Sequence, residues 1–170
     1  MTRAEGAIEI GCEVMDLRPF DPAQQSALMR WFPDAVGVRT WGGPGFRHPF
    51  DERTFREDAK FDRMSSWALV AADGSLAAFG QYYPKLDRCH LARLAVAPSL
   101  RGRGVGRRLV HELCRVGGTA LGVNAYSLFV YEGNTAALRL YRSLGFAEAP
   151  PIERFPAHAG ILFMVATSIR

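Results

Sequence analysis

The stretch from His90 to Phe146 constrains the fold more than any other part of this chain. An apolar run, His90-Leu-Ala-Arg-Leu-Ala-Val-Ala97, is stopped by Pro98 and gives way to Arg101-Gly-Arg-Gly104-Val-Gly106. An amphipathic segment follows, and the stretch closes with Asn134-Thr-Ala-Ala-Leu-Arg-Leu-Tyr141-Arg-Ser-Leu-Gly145-Phe146. This order reads as a strand, a glycine-rich turn, a helix, another strand and a second helix. A glycine-rich turn at the mouth of a helix offers main-chain N–H groups and the positive end of the helix dipole to an anion such as phosphate.

The flanking sequence supplies the rest of an α/β fold. Ile8, Ile10, Cys12 and Val14 alternate with polar or small residues and predict a first strand. Asp21-Pro22-Ala-Gln24 predicts a capped helix start with a capping-box partner, the helix running to about Trp31 with Ala27, Leu28 and Trp31 on one face. Residues 37–50 hold four glycines and two prolines and predict one long aromatic-bearing loop. Asp51 is placed to cap a short helix ending near Asp62. Asp73-Gly74 between two apolar runs, Trp67–Ala72 and Leu76–Tyr83, predicts a hairpin. Strands follow at 88–97 and 124–131, helices at Gly104–Val116 and Thr135–Leu144, and closing strands at Ile152–Phe155 and Ile161–Ala166. The sum is a mixed, mostly antiparallel sheet of about seven strands with helices on both faces, in a single domain spanning 1–170.

Composition removes several classes. An apolar fraction of 48% and a charged fraction of 22% suit a folded globule and not a disordered chain. No apolar run approaches the roughly 20 residues that span a bilayer, and the first residues lack the plan of a signal peptide, so a cytoplasmic location without membrane association is expected. Cys12, Cys89 and Cys114 are an odd, scattered set, and the four histidines show no ligand spacing, so neither a disulfide framework nor a metal is expected. The net charge of +4 suits an anionic small molecule as well as a nucleic acid.

Two familiar phosphate loops do not fit. A P-loop ends in Gly-Lys-Ser/Thr, which is absent here. A dinucleotide fingerprint requires a third glycine where this chain has Leu109. What remains is a turn in which Gly102 and Gly104 bare the backbone while Arg101, Arg103, Arg107 and Arg108 attract an anion. Arg and Gly are also common in solvated turns, and the loop alone leaves both readings open. Nucleic-acid binding through the same arginines is not expected, because no aromatic platform accompanies them.

The ordered set Leu-Ala-Val-Ala-Pro, Arg-Gly-x-Gly-x-Gly and Asn-x-x-Ala-x-x-Leu-Tyr-x-x-x-Gly-Phe resembles the GNAT superfamily of acyl-coenzyme A-dependent N-acyltransferases. The matching part, Asp87–Phe146, is about a third of the chain. The resemblance implies an N-acetyltransferase that uses acetyl-CoA, with a V-shaped splay between the fourth and fifth strands and a cofactor-binding core at about 87–146. It implies that the backbone of Leu94, Ala95 and Val96 holds the pantetheine arm. The pyrophosphate would rest on Arg101, Gly102, Arg103, Gly104, Val105 and Gly106, with Arg107 reaching a phosphate.

Asn134 matches a family asparagine that contacts the cofactor arm, and is equally a helix N-cap. Tyr141 matches a tyrosine placed near the cofactor sulfur, where a phenol can protonate the departing thiolate, and it also suits a core aromatic beside Leu138 and Leu144. Some relatives carry a glutamate base where this chain has Phe129, and others a glutamate or histidine early in the fourth strand; counting back four from Leu94 gives His90, either as base or as a solvent-facing residue at a strand end. Asp87, Glu132 and Tyr131 are reserve candidates, and Cys89 faces away from His90 along a strand.

The same resemblance assigns acceptor-side elements to about 18–62 and 148–166. Trp41, Phe46, His48 and Phe50 would either wall an acceptor pocket or fill the core, and Phe129 and Tyr131 join Trp41 and Phe46 as substrate-side candidates. The partner implied is a small-molecule or peptide amine, and a homodimer is a family-based expectation. A non-catalytic acyl-CoA-binding sensor is the alternative, motivated by Phe129 replacing an acid.

Overall fold

The computed structural model describes residues 14–150 and 160–170. Seven strands form one sheet in the order β1-β2-β3-β4-β5-β7-β6: β1 (Met15–Pro19), β2 (Ser65–Ala71), β3 (Leu76–Lys85), β4 (Arg88–Val96), β5 (Tyr126–Tyr131), β6 (Ala147–Ala149) and β7 (Ile161–Ala166). Only β4 and β5 run parallel; every other described pairing is antiparallel. The parallel pair follows from chain connectivity, since a helix crosses between those two strands.

Three short helices cover one face: α1 (Gln25–Met29), α2 (Ala35–Gly42) and α3 (Glu52–Ala59). Their inward residues Leu28, Val38 and Phe55 are fully buried with Phe79 of β3. The opposite face carries α4 (Val105–Leu121) and α5 (Thr135–Ser143), which bury Leu109, Leu113, Leu138 and Tyr141 against Leu91 and Leu128. Both layers follow the apolar periodicity of the sequence. No helix among the described residues is long and apolar enough to cross a membrane.

Caps fix several of these elements. Asp51 accepts from the Thr54 N–H at 2.7 Å while the Thr54 hydroxyl receives the Asp51 N–H at 2.9 Å, a complete capping box for α3. The box expected at Asp21 does not form. Asp21 accepts from the Ala23 N–H at 2.9 Å above a short 3-10 turn, Pro22–Gln24, and the Gln24 amide instead donates to the Gly74 carbonyl. The Asp73-Gly74 hairpin forms as expected, with Gly74 at φ 84°.

Other expectations are corrected. The first described strand begins at Met15; Val14 is exposed and outside it, while Ile8, Ile10 and Cys12 lie outside the described residues. Residues 37–50 are not one loop, because Asp34 accepts from the Gly37 N–H at 2.7 Å and starts α2, which buries Val38. α4 continues five residues past Val116 through Gly117 and Gly118. These glycines bring α4 close to the sheet: a Cβ on Gly117 would lie 2.6 Å from Cys89 Sγ. Gly122, at φ 66°, ends the helix. A strand at Ala147–Ala149 precedes β7, and the expected strand at Ile152–Phe155 lies outside the described residues. Cys89 and Cys114 are buried free thiols.

Candidate active site

The site begins where two parallel strands part. β4 and β5 pair only at Cys89–Tyr126, His90–Ser127 and Leu91–Leu128. Beyond these positions β4 stays paired with β3 up to Val96, and β5 stays paired with β7 up to Tyr131. Each arm of the V is thus held from outside while the inner edges face each other across a gap. A β-bulge accompanies the divergence: between Gln81 and Phe79 on β3, the opposed stretch of β4 from Ala92 to Ala95 has one residue more. Arg93 takes the left-handed conformation there, at φ 50°.

A cavity of about 1030 Å³ occupies the gap. Leu94, Ala95 and Val96 line one wall, and Leu128–Tyr131 line the other. Toward α4 and α5 it meets Gly106, Arg107, Asn134 and Tyr141; toward α1 and α2 it reaches Trp31, Asp34 and Trp41. One space therefore connects both faces of the sheet.

The glycine-rich turn stands at the first of these ends. A 3-10 turn, Pro98–Leu100, leads to Gly102 at φ 73° and to Gly104 at φ 81°, the N-cap of α4. No side chain caps this 17-residue helix, so its first N–H groups stay open to an anion. A Cβ built on Gly102 or Gly104 meets nothing within 4 Å, so these glycines serve backbone conformation and leave the outer side clear. Gly106 differs: a Cβ there would lie 3.3 Å from Leu140 and 3.5 Å from Val96, the close approach of α4 to β4 and α5.

The arginines divide by environment. Arg101 lines the cavity, its Nε donating to the Val96 carbonyl at 3.3 Å. Arg107 also lines it and donates to the Ser143 hydroxyl at 2.6 Å. Arg103 is exposed and is not among the lining residues. Arg108 is turned to the Met15 carbonyl, tying α4 to β1. Val105 buries its side chain in the core and is not among the lining residues.

Asn134 caps α5, its Oδ1 accepting from the Ala137 N–H at 3.3 Å, and it also lines the cavity. The N-cap reading of this residue is seen directly, and its place on the cavity wall is compatible with the other. Tyr141 likewise packs in the core, edge-on to Phe146 with ring centroids 6.0 Å apart, and lines the cavity. Burial pushes its phenol pKa well above the ordinary value, so the hydroxyl keeps its proton across the physiological range.

His90 requires a correction. It is 1% exposed, neither solvent-facing nor among the residues that line the cavity, because it lies in the closed part of the V. Its Nδ1 is 2.8 Å from the Ser127 hydroxyl, and the rings of Tyr83, Phe129 and Phe163 pack around it. Burial, with a smaller contribution from Lys85, lowers its pKa to about 3. Such an imidazole is a poor proton acceptor. Asp87 sits in the turn before β4 at φ 56°, and Glu132 is exposed outside the lining; Tyr131 lines the cavity.

The aromatic candidates also separate. Trp41 lines the acceptor end, stacked on Phe32 at 4.4 Å, and its Nε1–H is buried without an acceptor among the described residues. Phe46 is 3% exposed and fills the core against Trp41 and Phe55. Phe50 packs on Phe55 with His48 against it. Phe129 is 41% exposed on the cavity wall, with the Lys85 ammonium 4.7 Å from its ring centroid. Sequence reasoning missed Asp34, Arg30 and Arg93 in the lining. The signal for Asp34 was present, an N-cap residue ahead of Val38 and Trp41 at helical spacing.

Comparison with known proteins converges on this geometry. The acetyltransferase (GNAT) family matches residues 35–146. The ribosomal protein bS18-alanine N-acetyltransferase of Salmonella typhimurium is 39% identical over 101 residues, which make up 59% of this chain and 66% of that enzyme. The crystal structure of the corresponding Escherichia coli enzyme is similar at a TM-score of 0.62 and 25% identity, over 90% of this chain and 93% of that one. Spermidine N-acetyltransferase from Vibrio cholerae, in complex with CoA and spermine, shares the fold at a TM-score of 0.66 and 17% identity, over 89% and 94% of the two chains. Matched over well more than half its length, and carrying the splayed strands and the open glycine turn, the chain belongs to the acetyltransferase (GNAT) family.

Proposed function

We propose that this chain transfers an acetyl group from acetyl-CoA to a primary amine of a small molecule or peptide, by direct attack in a ternary complex. The observation that carries the reading is the single cavity running through the gap between β4 and β5, from the uncapped start of α4 to α1 and α2. Acetyl-CoA supplies a thioester with an acyl carbon open to attack and a thiolate leaving group. The residues present suit it. Main-chain N–H groups across Arg101–Gly106, with Arg107, hold the pyrophosphate, and the unpaired edge of β4 at Leu94–Val96 holds the pantetheine arm. Asn134 contacts that arm while capping α5. Tyr141, kept protonated by burial, gives its proton to the sulfur as the thiolate leaves and regains one from the amine that has attacked; the same burial makes the phenol a weaker acid, so the transfer accompanies the thiolate's departure.

Among the described residues the amine side carries no strong base. Asp34 is the one carboxylate among the described cavity-lining residues, and it already caps α2. An α-amine, with an ordinary pKa of about 8, offers far more neutral nucleophile at pH 7 than an alkylamine near 10.4. We therefore favour an α-amine acceptor, at the end lined by Trp31, Trp41 and Phe129. The domain is read as one unit acting in the cytoplasm, with 87–146 as cofactor core.

The test pairs calorimetric acetyl-CoA binding with a free-thiol assay across α-amino peptides, amino acids and polyamines. Saturable binding and amine-dependent thiol release are expected. Absence of both would overturn the reading. Tight binding with no turnover on any amine would instead favour an acyl-CoA sensor, the alternative suggested by Phe129 and by the seclusion of His90.

A further inference from the structure

Arg93 concentrates several local costs at one point on the cavity wall. It is a non-glycine residue at φ 50°. Burial lowers its pKa, and its Nε–H is shut away without an acceptor among the described residues. Such costs persist where the surrounding structure requires the geometry they produce. The sequence reading gave Arg93 no role beyond its place in an apolar strand.

Its contacts identify that geometry. α3 ends at Ala59, and its last carbonyls lack partners within the helix. Arg93 Nη2 donates to the Asp58 carbonyl at 3.1 Å, placing a cation at the negative end of α3. Arg93 Nη1 donates to Gln81 Oε1 at 3.1 Å, and the Gln81 amide donates to the Ala59 carbonyl at 2.9 Å and to the Ser66 hydroxyl at 2.9 Å. Gln81 is fully buried, and it pairs with Ala92 at the edge of the bulge. The Asp58 carboxylate is held by Arg47 and leaves Arg93 to the carbonyls. One buried network thus joins the end of an acceptor-side helix, the partner strand β3 and the bulged residue of β4.

We propose that Arg93 is a positioning residue for acyl transfer: by tying the end of α3 and Gln81 to the bulge, it fixes the open edge of β4 relative to the helices that receive the amine. This rests on the acetyl-transfer reading above. The network sits on the α3 side of the sheet, away from the glycine turn that holds the diphosphate, so its loss misplaces the pantetheine arm and its thioester relative to the amine while the diphosphate keeps its hold, and the effect falls mainly on turnover.

The test uses the full chain, acetyl-CoA, and whichever of an alanyl peptide, free alanine and spermidine the wild type acetylates fastest. Arg93→Met is expected to lower kcat at least tenfold, with acetyl-CoA Kd within threefold of wild type and the folded circular-dichroism spectrum retained. Arg93→Lys, cationic and long enough to reach a carbonyl, is expected to regain at least threefold of that loss. Arg93→Gly relieves the backbone but removes the tie, and is expected to behave as Arg93→Met.

Wild-type kcat in Arg93→Met or Arg93→Gly would overturn the proposal, as would a fall in kcat matched by an equal loss of acetyl-CoA affinity. If Arg93→Met does not fold, the order wild type, Lys, Gly in kcat is expected, and a glycine variant equal to or faster than the lysine variant overturns it. A wild type that neither binds acetyl-CoA nor releases thiol would remove the acetyl-transfer reading itself, whereas active wild type with equally active variants removes only the role of Arg93.

Discussion

Tyr141 and His90 show how burial, as the main cause, leaves two polar rings neutral with opposite consequences. For the phenol, exclusion of water disfavours the anion, so Tyr141 stays a proton donor and its loss by titration moves to higher pH. Turnover is therefore expected to show no alkaline decline from this group at pH 10, where an ordinary phenol is half ionised. Tyr141→Phe is expected to lower kcat by about 10²-fold or more with acetyl-CoA affinity unchanged, as read by steady-state kinetics and calorimetry.

For the imidazole the same exclusion disfavours the cation, and the folded-state pKa of about 3 lies below the ordinary 6.5. Protonation then favours the unfolded chain. The stability linked to His90 is complete above pH 6.5 and is lost as pH falls toward 3, at about 1.4 kcal/mol per pH unit. The carboxylates held below their usual range by hydrogen bonds, among them Asp51, Glu57 and Asp58, lose charge lower down, below the pH 4.5–6.5 window over which the His90 contribution falls. Urea unfolding across that window is expected to show a steep decline in wild type and a shallower one in His90→Gln. Equal slopes would mean that His90 is not held neutral.

At the scale of elements, what could be read from the sequence was local and what could not was set by packing. The hairpin at Asp73-Gly74, the cap at Asp51 and the glycine turn before α4 depend on adjacent residues, and all three form as read. Residues 37–42 were read as loop because glycine is common there, yet Asp34 and the burial of Val38 suffice for a helix. Gly117 and Gly118, just past the end expected for α4 at Val116, mark its contact with the sheet. The enclosure of His90 depends on rings from β3, β5 and β7, which no nearby residue announces.

The bulge was equally silent, although Gly80 opposite it is demanding. A Cβ on Gly80 would lie 2.5 Å from Leu113 and 2.8 Å from Leu94, both in the tightly packed layer between α4 and the sheet. Gly80→Ala is expected to cost about 1–3 kcal/mol in urea unfolding through overpacking. A cost below about 0.5 kcal/mol would show that β3 and α4 separate easily there, and would weaken the view that the bulge is rigidly held.

At the scale of the whole molecule, the sheet is closed at one end of the β4–β5 pair and open at the other. Leu91 and Leu94, an odd number of residues apart, both pack in the layer beneath α4, because the bulge shifts the alternation of β4 by one. A left-handed arginine costs about 1–3 kcal/mol, and charge-assisted bonds to the α3 carbonyl and Gln81 offset it. The outcome is an edge of main-chain groups facing a cavity that reaches both layers of helices.

The central claim is that this edge and the start of α4 together hold acetyl-CoA. A crystal structure with coenzyme A bound tests it most directly. The diphosphate is expected within hydrogen-bonding distance of main-chain N–H groups between Arg101 and Gly106, with the pantetheine arm along Leu94–Val96 and its sulfur beside Tyr141. Coenzyme A bound elsewhere, with β4 and β5 closed together beyond Leu91, would contradict the account.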